Sequence, residues 1–442
     1  IQITRAALSM ANILQRGGRF ELRAAAYPRH FDRNERSEWS GEISLQMLQK
    51  IKQFELRAAA YSDIICCVMK KFMCAAARFV KSEVVLCVAL LLAIISMFFV
   101  PPDAGYSDYI DWDTLALLFS LMAVMKGFQS AGVFSFLAGK LLKKANTSRK
   151  IMLVLVFLPF FLSMLVTNDV SLITFVPFGL IVLRSAKLER LAVPLAVLQT
   201  LAANLGSMLT PMGNPQNLYL YNSSGMSFGG LVLLMLPYTA LSGAGLFAVI
   251  MCFKSVPAES AEIDTEITGK FPIIYSSAGF AVCLLGLFDV IPSLIIAAVV
   301  LVFLLIFDRK VLIKVDYSLL ATFAALFIFI GNMGNISAVR TFLSSVISGN
   351  ETLVAVLASQ VLSNVPAALL LSGFSSEWSA LIVGCNLGGL GTLIASMASL
   401  ISYKEIAKSY PEKRLKYLLQ FTVYNIAFLA ALIGLYFIIK IA

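Results

Sequence analysis

Residues 204–217 read NLGSMLTPMGNPQN and lie inside a long apolar segment. Two prolines, two glycines, three asparagines and a glutamine occupy those fourteen positions. Proline removes a backbone donor and glycine loosens a helix, so a lipid-exposed span built this way leaves polar backbone groups unpaired. Residues 386–392 read NLGGLGT and repeat the pattern N-L-G-x-x-x-T found at 204–210. The interruption therefore occurs twice, and its context decides the fold.

That context is a membrane. The chain has 442 residues, of which 59% are hydrophobic and only 14% charged, against about 25% charged in soluble proteins. Apolar runs at 84–100 (VVLCVALLLAIISMFFV), 231–253 and 417–439 each approach the roughly 20 residues that cross a hydrocarbon core. The sequence is that of an all-α polytopic membrane protein whose principal partner is the lipid bilayer. The net charge of +10 sits in short loops between spans, which is an orientation signal rather than a nucleic-acid surface. No CxxC pair occurs among the seven cysteines. Cys87, Cys252, Cys283 and Cys385 fall in or beside apolar segments, where cysteine packs as a small apolar residue. With His30 the single histidine, and no nucleophile–base pair or phosphate-binding loop, the sequence does not read as an enzyme and calls for no cofactor.

Residues 1–70 differ from the rest. They are Arg-rich and contain FELRAAAY at both 20–27 and 54–61. Two copies cannot build a solenoid. The segment is read either as a disordered or helical cytoplasmic extension, or as a translated repeat upstream of a start at Met69 or Met73.

Loop charge sets the topology. Lys70, Lys71, Arg78 and Lys81 precede the first span and place the N-terminus in the cytoplasm. The loop 101–113 contains no Lys or Arg and lies outside. A second span over about 114–128 leads to the basic loop 139–150, which lies inside. The apolar stretch 151–183 has basic residues at both ends and VTNDV (166–170) in its middle. A re-entrant hairpin with Thr167, Asn168 and Asp169 at its tip satisfies both flanks, whereas two arms of roughly 15 residues are short for full crossings. In the second half, a span near 318–331 and a short helix around 339–347 precede 353–374, which has Ser363-Asn364 in the middle and no basic flank. This hairpin opens outside. Each hairpin is followed by an interrupted span and then a full one, at 229–253 and 415–440. Opposite flanks around equivalent hairpins make the halves inverted repeats. The resulting boundaries are an N-terminal extension (1–70), a first span plus repeat 1 (81–253), a cytoplasmic linker (254–270), and connecting spans plus repeat 2 (271–442).

Inverted repeats with discontinuous helices point to a secondary transporter whose site forms near the midplane. Hairpin tips and breaks offer carbonyls to a cation, and half-helix N-termini offer amides to an anion. The substrate- and ion-binding candidates are Thr167, Asn168, Asp169, Asn204, Gly206, Thr210, Gly213 and Asn214 in repeat 1. In repeat 2 they are Ser363, Asn364, Asn386, Gly388 and Thr392. The bland alternative is that these residues are polar packing between helices. An intramembrane carboxylate is a functional signal by default, so Asp169 is read as binding Na⁺ or carrying a proton. Lys126, near the inner end of the second span, is read as snorkelling to the interface.

At these residues the chain resembles the ion transporter superfamily, which includes arsenite permeases, citrate transporters, sodium–dicarboxylate symporters and D-type sodium/proton antiporters. Thr167-Asn168 and Ser363-Asn364 look like the paired tips that read Ser-Asn-Thr in the dicarboxylate branch, and residues 204–217 look like the break that follows the first tip. The resemblance covers about 81–442. It implies elevator-type transport, a homodimer, an Na⁺ site at each hairpin (here Asn168, Asp169 and Asn364) and substrate between the tips. At the third tip position stand Asp169 and Val365 instead of Thr, and the Thr167-Asn168-Asp169 tip looks more like the arsenite-permease and antiporter side. The expected function is transport of a small anion or oxyanion, such as a di- or tricarboxylate or arsenite, coupled to Na⁺ or H⁺, with Na⁺/H⁺ antiport as the alternative. A plasma-membrane location and no nucleic-acid partner complete the expectation.

Overall fold

The computed structural model describes residues 83–441 apart from 104, 259–266 and 268, together with isolated helical positions between 67 and 80. The extension expected over 1–70 lies almost entirely outside the described residues, and so does much of the linker expected at 254–270. The compact unit from Glu83 onward carries both repeats.

Among the described residues there are nineteen α-helices, and the sole β feature is a bridge between Thr147 and Pro257. Five helices are long and apolar enough to cross a membrane: Asn168–Ser185, Phe228–Cys252, Lys270–Leu287, Tyr317–Gly334 and Pro411–Ile441. Two bent pairs extend the set to seven. Trp112–Ser130 turns by 52° into Val133–Leu142, and Ser337–Ile347 turns by 110° into Glu351–Leu362. The protein is an all-α polytopic membrane protein.

The two halves follow one plan. Each opens on a span capped by an aspartate: Asp111 accepts from the Thr114 amide at 2.9 Å, and Asp316 accepts from the Leu319 amide at 3.0 Å. Such caps satisfy amides that a helix start leaves free. Next comes a hairpin. Hairpin I has a leading arm Ser148–Leu162 and a return arm Asn168–Ser185; hairpin II has Glu351–Leu362 and Asn364–Ser372. A broken helix follows, Ala192–Ser207 then Pro215–Ser224 in the first half, Trp378–Gly388 then Met397–Ser409 in the second. Each half ends on a closing span, Phe228–Cys252 or Arg414–Ile441.

One length differs from the sequence reading. The return arm of hairpin I has 18 residues because Asn168 and Asp169 are its first helical residues rather than part of a loop. At 1.5 Å per residue it rises about 27 Å, so shortness holds for the 15-residue leading arm and not for the return arm. Protein packing is what sets this arm apart: 61% of it is buried, against 11% of an apolar 18-residue stretch of the final span.

Packing between halves is reciprocal. The return arm of hairpin I lies on Met397–Ser409, and the return arm of hairpin II lies on Pro215–Ser224. Each closing span also touches the first half of both broken helices. Exchange of equivalent partners is what a twofold relation between inverted repeats produces. Every residue of Ala192–Ser207 is buried, which explains how a polar interruption survives at this depth: the freed backbone meets protein instead of lipid.

Candidate functional site

The opening motif sits where the breaks and the hairpin tips meet. Asn204, at the end of the first half of broken helix I, offers its Oδ1 to two donors. Asn168 Nδ2 from tip I donates at 2.9 Å, and Ser396 Oγ from the other half donates at 3.2 Å. Ser396 is the N-cap residue of Met397–Ser409. A second bond joins the halves with the roles of motif and half-helix exchanged: Asn386 Nδ2 donates to Asn217 Oδ1 at 2.6 Å. Asn217 in turn directs its Nδ2 at the carbonyls of Ser207, Met208 and Thr210, 3.3–3.4 Å away. Each motif asparagine thus bonds to the start of the second half-helix of the opposite repeat. Both bonds are buried.

Tip II closes on the same region. The Asn364 amide donates to Ala395 O at 2.9 Å, and Ala395 is the residue before the Ser396 cap. Ser363 holds φ +76° and ψ 153°, a region costly for any residue with a Cβ and typical of functional turns. The outcome is that the N-termini of both return arms and both second half-helices are linked through Asn168, Asn364, Asn217 and Ser396. Helix N-termini carry partial positive charge and free amides, the arrangement that receives an anion.

Several carboxamide atoms in this region are buried with no partner among the described residues: Asn204 Nδ2, Asn214 Oδ1, Asn386 Oδ1 and both ends of Gln216. Gln216 is 1% exposed. Orphaned buried polar atoms are costly and call for an explanation. A polar ligand held between the breaks supplies one.

The remaining candidates take other places. The Thr210 hydroxyl donates to Met164 O in the hairpin I turn. Thr392 is exposed; its amide donates to Gln360 Oε1 at 2.9 Å and its hydroxyl to Gln360 O at 3.1 Å. Both threonines fasten a break to its own hairpin. Gly206 and Gly388 permit close approach. A Cβ at Gly206 would stand 2.0 Å from Phe160 O, and one at Gly388 would stand 2.5 Å from Ser359 Oγ. Gly213 does the same within the break, 2.0 Å from Ser207 O. Thr167 is the N-cap of the return arm, and Asn214 Nδ2 donates to Ser207 Oγ at 2.7 Å. Asp169 is half-buried, with its Oδ1 enclosed and unpartnered among the described residues.

Residues that sequence reasoning left out are Asn217 and Ser396, which complete the bonds between halves, and two glutamine clamps. Gln199 Nε2 donates to Leu155 O at 2.9 Å and to Phe175 O at 3.0 Å, joining both arms of hairpin I. Gln360 Nε2 donates to Gly388 O at 3.0 Å and Leu390 O at 2.9 Å across break II. A signal for Ser396 was present: it lies ten residues beyond Asn386, as Asn214 lies ten beyond Asn204.

Known proteins resemble this chain. The citrate transporter family matches residues 64–377. An uncharacterized transporter of Methanocaldococcus jannaschii is 35% identical over 298 residues, covering 67% of this chain and 81% of its own. The inner membrane protein YbiR of Escherichia coli is 31% identical over 323 residues, or 71% and 86% of the two chains. A silicon efflux transporter of Oryza sativa subsp. japonica is 32% identical over 187 residues, or 41% and 38%. The family and two of these relatives are named as transporters, and none is named as an enzyme. The chain belongs to the citrate transporter family, within the ion transporter superfamily whose motifs its sequence carries.

Proposed function

We propose that this chain is a secondary active transporter that carries a small anion or oxyanion by alternating access, coupled to Na⁺ or H⁺. The observation that carries the reading is the meeting of tip I and break II at Asn204, of the two breaks at Asn386, and of tip II with Ala395 beside Ser396, beside carboxamide atoms that have no partner among the described residues. Helix N-termini and neutral amides bind a charged or polyhydroxylated oxygen compound without burying a counter-charge. A di- or tricarboxylate suits the family description. Arsenite fits the resemblance at tip I, and silicate belongs in the same screen because one relative is named for silicon efflux.

Asp169 is assigned to the coupling cation, with Asn168 and Asn364 as neutral donors to Na⁺. Its enclosed oxygen, without a partner among the described residues, also favours a second reading, an Na⁺/H⁺ antiporter in which Asp169 exchanges the two cations. The reading is completed by a plasma-membrane homodimer with a cytoplasmic N-terminus and a cytoplasmic 254–270 linker, following loop charge.

Proteoliposomes separate the alternatives. Uptake of labelled citrate, succinate, arsenite or silicate that requires an inward Na⁺ or proton gradient supports coupled symport. Na⁺-driven movement of protons with every anion absent supports the antiporter. Gradient-independent flux of all four compounds would overturn coupled transport.

A further inference from the structure

Gln216 stands in the first turn of the half-helix Pro215–Ser224. It is 1% exposed, yet neither its Oε1 nor its Nε2 has a partner among the described residues. The residues around it are tied together. Asn214 Nδ2 donates to Ser207 Oγ at 2.7 Å, Asn217 Nδ2 to Ser207 O at 3.4 Å, and Asn386 Nδ2 to Asn217 Oδ1 at 2.6 Å. The Ser207 hydroxyl donates to Asn204 O at 2.9 Å. One network thus runs from Asn204 through Ser207 to Asn386, and Gln216 lies between two of its members in sequence without bonding to either.

These bonds fix which ends of the carboxamides stay free. The one proton of the Ser207 hydroxyl goes to Asn204 O, so Asn214 has to meet that hydroxyl with Nδ2. Asn214 Oδ1 is the end left over. Asn386 Nδ2 also donates to Ile382 O at 2.8 Å. A carbonyl only accepts, so Asn386 Oδ1 is left over in the same way. Two oriented acceptors therefore accompany one residue that offers both a donor and an acceptor. All three side chains are more than nine-tenths buried.

Further donors come from the helix starts. Thr167, Asn214, Ser363 and Ser396 are residue types that cap helices, yet none of their side chains takes the cap bond. Thr147 and Ser227 do take it. Amides in these first turns are thereby open to the oxygens of an anion. A fully ionised carboxylate suits those amides but only accepts, and it leaves the oxygens of Asn214, Asn386 and Gln216 facing no donor. A cation alone suits the oxygens and leaves Gln216 Nε2 unpaired. A hydroxyl beside an anionic group serves both, because it accepts from Nε2 and donates to a carboxamide oxygen.

We propose that Gln216 is a specificity-determining residue of the transport site, and that it reads a hydroxyl carried by the transported anion, as in a hydroxycarboxylate or a hydroxylated oxyacid. The proposal rests on the meeting point of tips and breaks being an anion site.

The test compares acids that differ by one hydroxyl. Thermal stability of the purified full-length protein is titrated with malate against succinate, and with citrate against tricarballylate, at fixed pH, Na⁺ and ionic strength. The hydroxy acid of each pair reaches half-maximal stabilisation at a concentration on the order of tenfold lower, the effect of one hydrogen bond whose loss leaves buried groups unpaired. Gln216→Met, of similar length but without the carboxamide, closes the gap in each pair. Should Gln216→Met fail to fold, Gln216→Asn, shorter by one methylene, narrows the gap in its place. Coincident midpoints within the pairs in the wild type overturn the proposal and leave the anion site standing. An undiminished gap in the folded Gln216 variant also overturns it. If only arsenite or silicate stabilises the protein, Gln216→Met weakens that response, and an equal response in the variant overturns the proposal. Stabilisation by none of these compounds sinks the anion-transport reading itself, and the role of Gln216 with it.

Discussion

At the scale of the residue, a few side chains separate ligand contact from backbone packing. Asn168 and Asn364 stand at the two tips, so Asn168→Ala and Asn364→Ala should each lower the initial rate of coupled uptake by about tenfold or more while membrane expression stays normal. Near-normal rates in both would remove them from the site. Gly206 makes the opposite kind of prediction. A Cβ there would meet Phe160 O at 2.0 Å, and backbone cannot yield as a flexible side chain can. Gly206→Ala should therefore destabilise the protein by about 1–3 kcal/mol, seen as a lower melting temperature; an unchanged one would refute the close approach. The sequence could show that asparagine and glycine recur at matched positions. It could not assign their tasks, because both suit packing and binding. Contacts separate them: Gly206, Gly388, Thr210 and Thr392 hold breaks to hairpins, whereas Asn204 and Asn386 link the halves.

At the scale of the element, the hairpins and broken helices were legible because lipid tolerates no unpaired backbone. Any polar interruption in a long apolar run therefore announces a break. What composition hides is how the pieces are clamped. Gln199 joins Leu155 O to Phe175 O from the middle of the first half of broken helix I. Gln199→Leu leaves those carbonyls without their side-chain donor, at roughly 1–3 kcal/mol for each buried group that loses a partner. The expected readout is a lower melting temperature and faster proteolysis within hairpin I; protection equal to the wild type would contradict the clamp. The starting point of the return arm was missed for a related reason. Thr-Asn-Asp reads as a loop in sequence, yet Thr167 serves as an N-cap and Asn168 and Asp169 occupy the first helical turn. An aspartate there is favoured by the helix dipole.

At the scale of the whole molecule, internal repetition gave the architecture and loop charge gave the expected orientation. The bonds between halves depend on which helix meets which in space, information that a single chain without aligned relatives does not carry. Asn204 with Ser396 and Asn386 with Asn217 join the two similar halves at one candidate site, and the functional reading depends on that meeting. The most direct test replaces the native cysteines, introduces Asn217→Cys and Asn386→Cys, and adds a protease site in the 254–270 connection. Treatment in membranes with a short bifunctional thiol reagent, then protease, should leave the two halves joined on a denaturing gel until the link is reduced. Halves that separate without reduction, while each cysteine alone accepts a monofunctional reagent, would contradict a central site shared by the two repeats.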